Sequence, residues 1–192
     1  MKRIRFIAIT FFMGSSILMS AQSYTIDNTQ SSLAVHGTST LHDWKLNAKT
    51  IKGMATLEVK GKELKGIKSL SIEVPVATMN SGLDAIDNHM RTAMTANDAS
   101  VVTFILTEVT NLTANTIGGY TVQADGNISI IKNSKPVALQ ATIEMKENGA
   151  IRIFGETHIS MTDYEVEPPQ AEMGSIKTED DVKVIFDVVF VK

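Results

Sequence analysis

The chain of 192 residues contains no cysteine. This excludes disulfide bonds, thiol catalysis and zinc–thiolate sites, and it also excludes a lipid-modified N-terminal cysteine. Stability must therefore come from an ordinary hydrophobic core, and a chain of this length is long enough to build one. Proline is scarce as well, with four residues. No linker rich in proline or serine and no change in composition divides the chain, so we expect one domain.

The chain also lacks an apolar run long enough to cross a membrane. The longest run, residues 6–18, is shorter than the ~20 residues that a membrane-spanning helix needs. It follows a basic start and precedes small residues that end at Ala21, which is the pattern of a secretory signal peptide. We therefore predict a signal peptide over residues 1–21, processing near Ala21, and a mature periplasmic or secreted domain over residues 22–192.

Positive charge is scarce in the predicted mature domain. Removing the signal peptide takes away three basic residues and leaves 15 Lys and Arg against 21 Asp and Glu, a net charge of about −6. This balance argues against nucleic acid as a partner, and it provides no basic patch for an anionic membrane surface.

Residues that carry chemistry are few. The four histidines, His36, His42, His89 and His158, show none of the short spacings that are typical of a metal site. The sequence contains no G-x-S-x-G motif, and Ser39 lacks the strand-to-helix elbow that a serine nucleophile needs. We therefore expect neither a catalytic centre, nor a metal, nor a cofactor.

Most of the chain reads as β-strand. Residues 137–145 and 182–190 alternate between apolar and polar side chains, which indicates strands with one face in a core. Short turns between neighbouring strands predict antiparallel hairpins, and the first strand is predicted to break at Asn28–Gln30. The count of eight or nine strands suits a closed antiparallel barrel at least as well as a sandwich. The predicted strands are Tyr24–Asp27, Ser32–His36, Thr50–Val59, Ile67–Val76, Val101–Thr110, Tyr120–Ile131, Pro136–Lys146, Ala150–Ile159 and Val182–Val191.

One stretch, Ser81–Ser100, predicts a helix. Its apolar residues recur at a spacing of three to four and form a stripe that needs an apolar surface to cover. Ser81 is the expected N-cap, and Asp87 is placed to pair with Arg91 one turn later. A single short helix in a β chain is either a plug for the end of a barrel or a lid over what the barrel holds.

Four segments carry a further signal: GTSTLHDW at Gly37–Trp44, DNHMR at Asp87–Arg91, GNISIIKNSKPV at Gly126–Val137 and MTDYEVEPP at Met161–Pro169. In this order they resemble the YceI-like family of secreted, lipocalin-like barrels. The resemblance implies an eight-stranded antiparallel barrel, a short helix between its middle strands, and an elongated apolar cavity that binds an isoprenoid or fatty acyl chain. The long loop that begins at Met161 is expected to reach the barrel mouth.

Eleven residues are candidates for contact with such a ligand. A head group would meet polar or amphipathic residues at the mouth, and the chain would meet flexible or apolar side chains. Two alternatives remain open: Trp44 closes one end of the barrel, and Arg91 pairs only with Asp87 on a solvated helix face. The candidates are His42, Trp44, His89 and Arg91 for the head group, and Leu83, Ile86, Met90, Met94, Phe104, Met145 and Met161 for the chain.

The sequence therefore favours a non-enzymatic carrier or store for an apolar single-chain lipid, isoprenoid or fatty acyl. Two other functions stay open. One is an envelope interaction module whose barrel is filled by its own side chains, and the other is a hydrolase that uses the histidines. The sequence leaves the oligomeric state undecided, with a homodimer as one option.

Overall fold

The computed structural model describes residues 20–94, 100–116 and 118–192. The predicted signal peptide lies outside this part of the chain except for its last two residues. Within the described residues the chain forms twelve strands and one α-helix. They are β1 (Ser20–Ile26), β2 (Ser32–Ser39), β3 (Trp44–Ala48), β4 (Lys52–Lys60), β5 (Glu63–Pro75), β6 (Met79–Asn80), α1 (Asp84–Ala93), β7 (Val101–Ala114), β8 (Tyr120–Ile130), β9 (Asn133–Met145), β10 (Ile151–Ser160), β11 (Gln170–Ala171) and β12 (Ile176–Val191).

Eight of the strands form a closed antiparallel ring. The order is β1, β4, β5, β7, β8, β9, β10 and β12, and β12 returns to β1 through the pairs Thr25 with Val191 and Ile26 with Phe190. Closing a sheet in this way removes its free edges. The predicted all-β fold, with eight antiparallel strands and one short helix between the middle strands, is confirmed.

The predicted break in the first strand has a structural counterpart. Both β1 and β2 pair antiparallel with β12, one after the other along the same edge. Between them the Asp27 carboxylate accepts hydrogen bonds from Thr29 and Gln30, and these bonds, led by the Thr29 hydroxyl, lower the pKa of Asp27. Asp27 thereby holds the turn that separates β1 from β2.

A second break lies at the same level in the returning arm of the hairpin. β2 pairs with β3 while β1 pairs with β4, so the four strands form one long hairpin with both arms interrupted. The side chain of Asn28 bridges the two breaks, because its amide donates to the Lys49 carbonyl and accepts from the Ile51 amide. Beyond these breaks, the sheet continues from β12 to β2, from β2 to β3 and from β3 to β6. The ring is thus built differently at its two ends.

Large side chains fill one end of the ring. The side chains of Tyr24 on β1, Leu57 on β4, Ile143 on β9 and Phe190 on β12 are at most 2% exposed and belong to one continuous cluster. Burying a side chain of this size contributes about 1.5–3 kcal/mol. We call this region, which also includes Ile151 and Val188, the packed half.

The helix is shorter than predicted and begins differently. It spans Asp84–Ala93, and residues 95–99 of the predicted segment lie outside the described residues. The prediction of Ser81 as N-cap is wrong, because Leu83 occupies that position and makes no side-chain cap. Ser81 instead donates from its backbone amide (2.8 Å) and its hydroxyl (2.7 Å) to Oδ1 of Asp87.

The carboxylate of Asp87 fastens the helix to the strand before it. Asp87 is 3% exposed, and Asn80 on β6 donates to its Oδ2 at 2.8 Å. Burial alone would raise the pKa of Asp87, but the hydrogen bonds from Ser81, the charge of Arg91 and the hydrogen bond from Asn80 outweigh it and lower that pKa. Arg91 itself hydrogen-bonds Asn88 at 3.3 Å, so it influences Asp87 through its charge rather than through the predicted hydrogen-bonded pair.

Candidate lipid-binding site

The end of the ring opposite the packed half encloses a cavity of about 420 Å³. This volume lies in the range of about 300–1,000 Å³ that is usual for ligand pockets. Its wall is formed by inward-facing aliphatic side chains of the strands. They are Leu33, Val35, Leu46, Ile72, Val74, Val102, Ile128, Ile130, Ile159, Val182 and Val184.

Helix α1 covers this cavity with one face. The residues of that face recur at the helical spacing, and Met90, in its centre, is 9% exposed. They are Ala85, Ile86, His89, Met90, Ala93 and, just after the helix, Met94. The helix is therefore a lid over an internal space, which is one of the two roles that the apolar stripe predicts.

The segment from Met161 to Thr178 forms another part of the wall. Met161, Val166 and Pro169 line the cavity, and the loop is held from outside by Asp180, whose carboxylate accepts from the amide and the hydroxyl of Thr162, each at 2.8 Å. The segment reaches the cavity as the sequence predicts.

Tyr164 fixes this loop against strands β8 and β9. Its side chain is 4% exposed and packs with Ile128, Ile130 and Val166, and its carbonyl accepts a hydrogen bond from Asn133 at 2.8 Å. Burial raises the pKa of the Tyr164 hydroxyl, and a tyrosine is neutral at physiological pH even without such a shift. The loop wall of the cavity is therefore built around an uncharged, well-packed residue.

Two loops form the rim of the opening, which we call the mouth. The β2–β3 turn, Ser39–His42, hydrogen-bonds to the start of β12, where Thr40 donates to the Lys177 carbonyl at 2.9 Å. Ser39 and His42 from one loop, and Gln170 and Thr178 from the other, line the cavity. These four residues give the mouth a polar rim, His89 on α1 and Thr103 on β7 add polar groups elsewhere in the wall, and no Lys, Arg, Asp or Glu lies among the described lining residues.

Trp44 is fixed in the wall at the start of β3. Its indole lies directly on Gly37 of the paired strand, where an added Cβ would overlap the ring. The indole Nε1 donates to the Thr38 carbonyl at 3.3 Å. Only glycine leaves room for an aromatic ring at this distance from the backbone, which accounts for the small residue at position 37.

The structure brings together eight of the eleven candidate residues. These eight line the cavity: His42, Trp44, Ile86, His89, Met90, Met94, Phe104 and Met161. Leu83 lies before the helix with 58% of its surface exposed, Arg91 points to Asn88, and Met145 packs against the core cluster. Contact with a ligand stays a prediction for the eight residues that line the cavity. For Leu83, Arg91 and Met145 the structure favours such contact less.

Sequence reasoning missed most of the strand contribution to the wall. Residues such as Val35, Ile128, Val182 and Val184 were recognisable as inward-facing from their alternation, but the same alternation continues into the packed half. Val184 lines the cavity, whereas Val188, four residues later on the same face, is fully buried. Inward direction alone therefore does not identify a cavity wall.

The remaining histidines lie away from the cavity. His158 contacts Asp181 through Nδ1 at 2.8 Å on the outer surface. His36 lies on β2, where it is paired with Lys183 of β12 on one side and with Lys45 of β3 on the other. Its Nε2 is buried and has no hydrogen-bond partner. In the described part of the chain, no three His, Asp or Glu side chains are grouped as metal ligands would be. No helix described by the structure is long and apolar enough to cross a membrane.

Known structures share this fold. BcnA from Burkholderia cenocepacia matches with a TM-score of 0.65 and 14% identity, covering 85% of this chain and 98% of that protein. A polyisoprenoid binding domain from Saccharophagus degradans matches with a TM-score of 0.63 and 14% identity, covering 87% and 97%. The YCEI protein of Campylobacter jejuni matches with a TM-score of 0.56 and 15% identity, covering 100% and 99%.

A comparison with curated protein sequences finds no match. The model of the YceI-like domain, in contrast, matches residues 24–190, from the first ring strand to the end of the last. This span includes the closed ring, the lid helix and every loop of the mouth. The chain belongs to the YceI-like family.

Proposed function

We propose that the protein binds an apolar single-chain lipid, isoprenoid or fatty acyl, in the cavity beneath α1, and carries or stores it without chemical conversion. The observation that carries this proposal is the wall of the cavity, in which aliphatic, methionine and aromatic side chains surround the space and charged side chains are absent among the described lining residues. The polyisoprenoid binding domain of S. degradans, which shares the fold, supports the same ligand class.

Burial of the chain supplies enough free energy. Each buried methylene contributes ~0.8 kcal/mol, so a chain of ~15 carbons contributes ~12 kcal/mol before translational and ordering costs of several kcal/mol. Micromolar or tighter binding follows without a strong polar contact. Met90 and Met94 suit this role, because unbranched, polarizable side chains adapt to irregular apolar surfaces.

The mouth favours an uncharged head group. Its polar side chains, among them Ser39, His42, Gln170 and Thr178, offer hydroxyl, amide and imidazole groups. A phosphate or carboxylate is usually held by arginine, and Arg91, the cation expected at this site, does not line the cavity. An alcohol or carbonyl head group therefore fits better than an anionic one.

The test combines extraction with competition. We expect mass spectrometry of organic extracts of the purified protein to detect a lipid, and the protein to bind a fluorescent prenyl or acyl probe. Met90→Trp and Met94→Trp place a larger side chain in the cavity and should weaken probe binding at least tenfold. Leu83→Trp is the matched control, because Leu83 lies just before the same helix but outside the cavity. Lipid-free extracts together with unchanged probe binding in the two methionine variants would contradict the proposal.

An interaction module with a filled core is a weaker alternative. The packed half has the side-chain packing that such a module requires, but the other half leaves about 420 Å³ open. If the filled core were the functional state, filling the cavity further with Met94→Trp would raise stability and leave every other property unchanged.

A histidine-dependent hydrolase is the second alternative, since His42 and His89 both line the cavity. A double variant, His42→Ala with His89→Ala, separates the two readings. The carrier retains probe binding in this variant, whereas a hydrolase loses turnover of ester substrates. Elemental analysis after dialysis shows whether a metal is retained.

Cleavage of the chain near Ala21 would leave the closed ring of eight strands intact. Ser20 and Ala21 are the first two residues of β1 and pair with Val59 and Glu58 of β4. Their removal leaves the pairs between β1 and β4 from Gln22 onward in place, and it also leaves the ring-closing pairs with β12. We propose that the mature protein begins at Gln22 in the periplasm or outside the cell. The intact mass of the protein from each cell fraction tests this assignment.

A further inference from the structure

We propose that Phe104 and Phe186 form the floor of the cavity and set the greatest length of chain that it accepts. This inference rests on the proposed lipid-binding function and narrows the ligand within that class. It follows from where the cavity stops along each strand and from two contacts between an aromatic ring and a glycine.

The inward face of β12 shows where the cavity ends. Val182 and Val184 line the cavity, and Val188 and Phe190 are fully buried in the packed half. Phe186 lies between these pairs on the same face and is only partly buried. Phe186 is thus the first inward-facing side chain of β12 below the residues that line the cavity, which is the position of a floor.

The ring of Phe186 extends across the neighbouring strand. Phe186 pairs with Gly155 on β10, and a Cβ added at Gly155 would lie 2.9 Å from Cζ of the ring. The glycine therefore leaves the space beside the strand backbone free for the aromatic ring, where a side chain at position 155 would otherwise lie.

Phe104 makes the same kind of contact on the other side of the ring of strands. It pairs with Ile128 on β8, which lines the cavity, but its aromatic ring lies on Gly126, two residues farther from the mouth. A Cβ at Gly126 would overlap that ring. Like Phe186, Phe104 is only partly buried and packs against the core cluster.

The two phenylalanines lie on opposite sides of the ring of strands. Their strands, β7 and β12, are four apart in a closed ring of eight, so the side chains approach from opposite walls at the boundary of the packed half. A ligand chain that enters from the mouth meets them at its far end.

A floor predicts a break in the relation between chain length and affinity. Each added methylene that is buried raises affinity about fourfold. Once the chain reaches the two rings, further methylenes stay outside or force the chain to bend, and the affinity stops rising. The chain length at this break measures the depth of the cavity.

The experiment is a series of saturated primary alcohols of increasing length, measured by displacement of a fluorescent acyl probe from the full mature domain. We expect the wild-type affinity to rise and then level off, and Phe186→Ala and Phe104→Ala to move the break to longer alcohols by at least two carbons. Phe154→Ala is the matched control, because Phe154 lies on β10 but on the outer face, against Arg152. A break that stays at the wild-type length in both cavity variants would overturn the inference.

Two further variants test the floor even if an alanine variant does not fold. Phe186→Leu removes less volume and should move the break in the same direction by a smaller step. Gly126→Ala forces the Phe104 ring towards the cavity and should move the break to shorter alcohols. If the wild-type protein binds neither alcohols nor prenyl probes at any length, the proposed function fails; if it binds them with a break that no variant moves, only the floor fails.

Discussion

Asn28 and Ile51 are joined by a hydrogen bond of 2.7 Å from the backbone amide of Ile51 to Oδ1 of Asn28. The same side chain donates to the Lys49 carbonyl at 2.9 Å, so one residue holds together the two interrupted arms of the hairpin. Ile51 is 3% exposed, and its amide forms this partly buried hydrogen bond with Asn28.

Asn28→Ala should therefore lower the free energy of unfolding by about 1–3 kcal/mol, the cost of leaving a buried donor without its acceptor. Urea denaturation followed by circular dichroism measures this change. Asn88→Ala, on the exposed face of α1, is the control and should change stability by less than about 0.5 kcal/mol. Equal effects of the two variants would show that Asn28 does not hold the break together.

Asp87 should make stability depend on pH in the acid range. Because the pKa of Asp87 is lowered in the folded protein, its contribution is fully present above the unfolded pKa of about 4 and is lost as the pH falls through the lower, folded pKa. Asp87→Asn should thus have a lower free energy of unfolding at neutral pH and a shallower loss of stability below pH about 4. Asp84→Asn, which removes an exposed carboxylate one turn earlier in the same helix, is the matched control variant. Parallel pH profiles for wild type and Asp87→Asn would contradict this role.

Gly37→Ala should disturb Trp44. The added methyl group overlaps the indole, and overpacking of this kind costs about 1–3 kcal/mol. Since Trp44 is the only tryptophan of the chain, its fluorescence reports the displacement directly, and we expect a shift of the emission maximum together with the loss of stability. Gly66→Ala is the control, because the added Cβ there meets the movable Glu58 side chain at 3.0 Å. An unchanged emission spectrum in Gly37→Ala would show that the ring does not rest on Gly37.

Ligand binding should change the same fluorescence. Trp44 lines the cavity beside the polar mouth, so an aliphatic chain that replaces water against the indole should move its emission to shorter wavelength. Titration of the mature domain with a fatty alcohol measures this effect, and Trp44→Phe should abolish the signal while keeping affinity within about threefold, or about 0.65 kcal/mol. A titration that saturates by probe displacement without any change in Trp44 emission would place the ligand elsewhere.

The sequence predicted the parts of the fold that depend on local pattern. Alternation identified the strands of the ring, including the interrupted first strand, and the helical spacing of Ile86, Met90 and Met94 identified the face of the lid. Strands β3, β6 and β11 were missed. β6 and β11 have two residues each, and β6 exists only through its pairs with Asn47 and Ala48 of β3. Such elements are created by tertiary pairing and leave no periodic signal.

Features decided by competition between partners could not be predicted. Ser81 has the side chain of a helix cap, but its hydroxyl and its backbone amide donate to the buried Asp87 carboxylate, and hydrogen bonds to a charged group are stronger than those between neutral groups. Leu83 continues the apolar spacing of the helix, yet it precedes the first turn and points to solvent. The boundary between cavity and packed half depends on which side chains meet from strands far apart in sequence, as Tyr24 and Phe190 do.

The interrupted hairpin also divides the molecule by local stability. The most completely buried side chains, Val76 apart, belong to the packed half, whereas β2, β3, β6 and α1 surround open space. Segments with few buried contacts open before the rest of a domain unfolds. Amide hydrogens of β3 and α1 should accordingly exchange with deuterium well before those of β4 and β10, so that the mouth can loosen to admit a ligand while the opposite end keeps the strands in register.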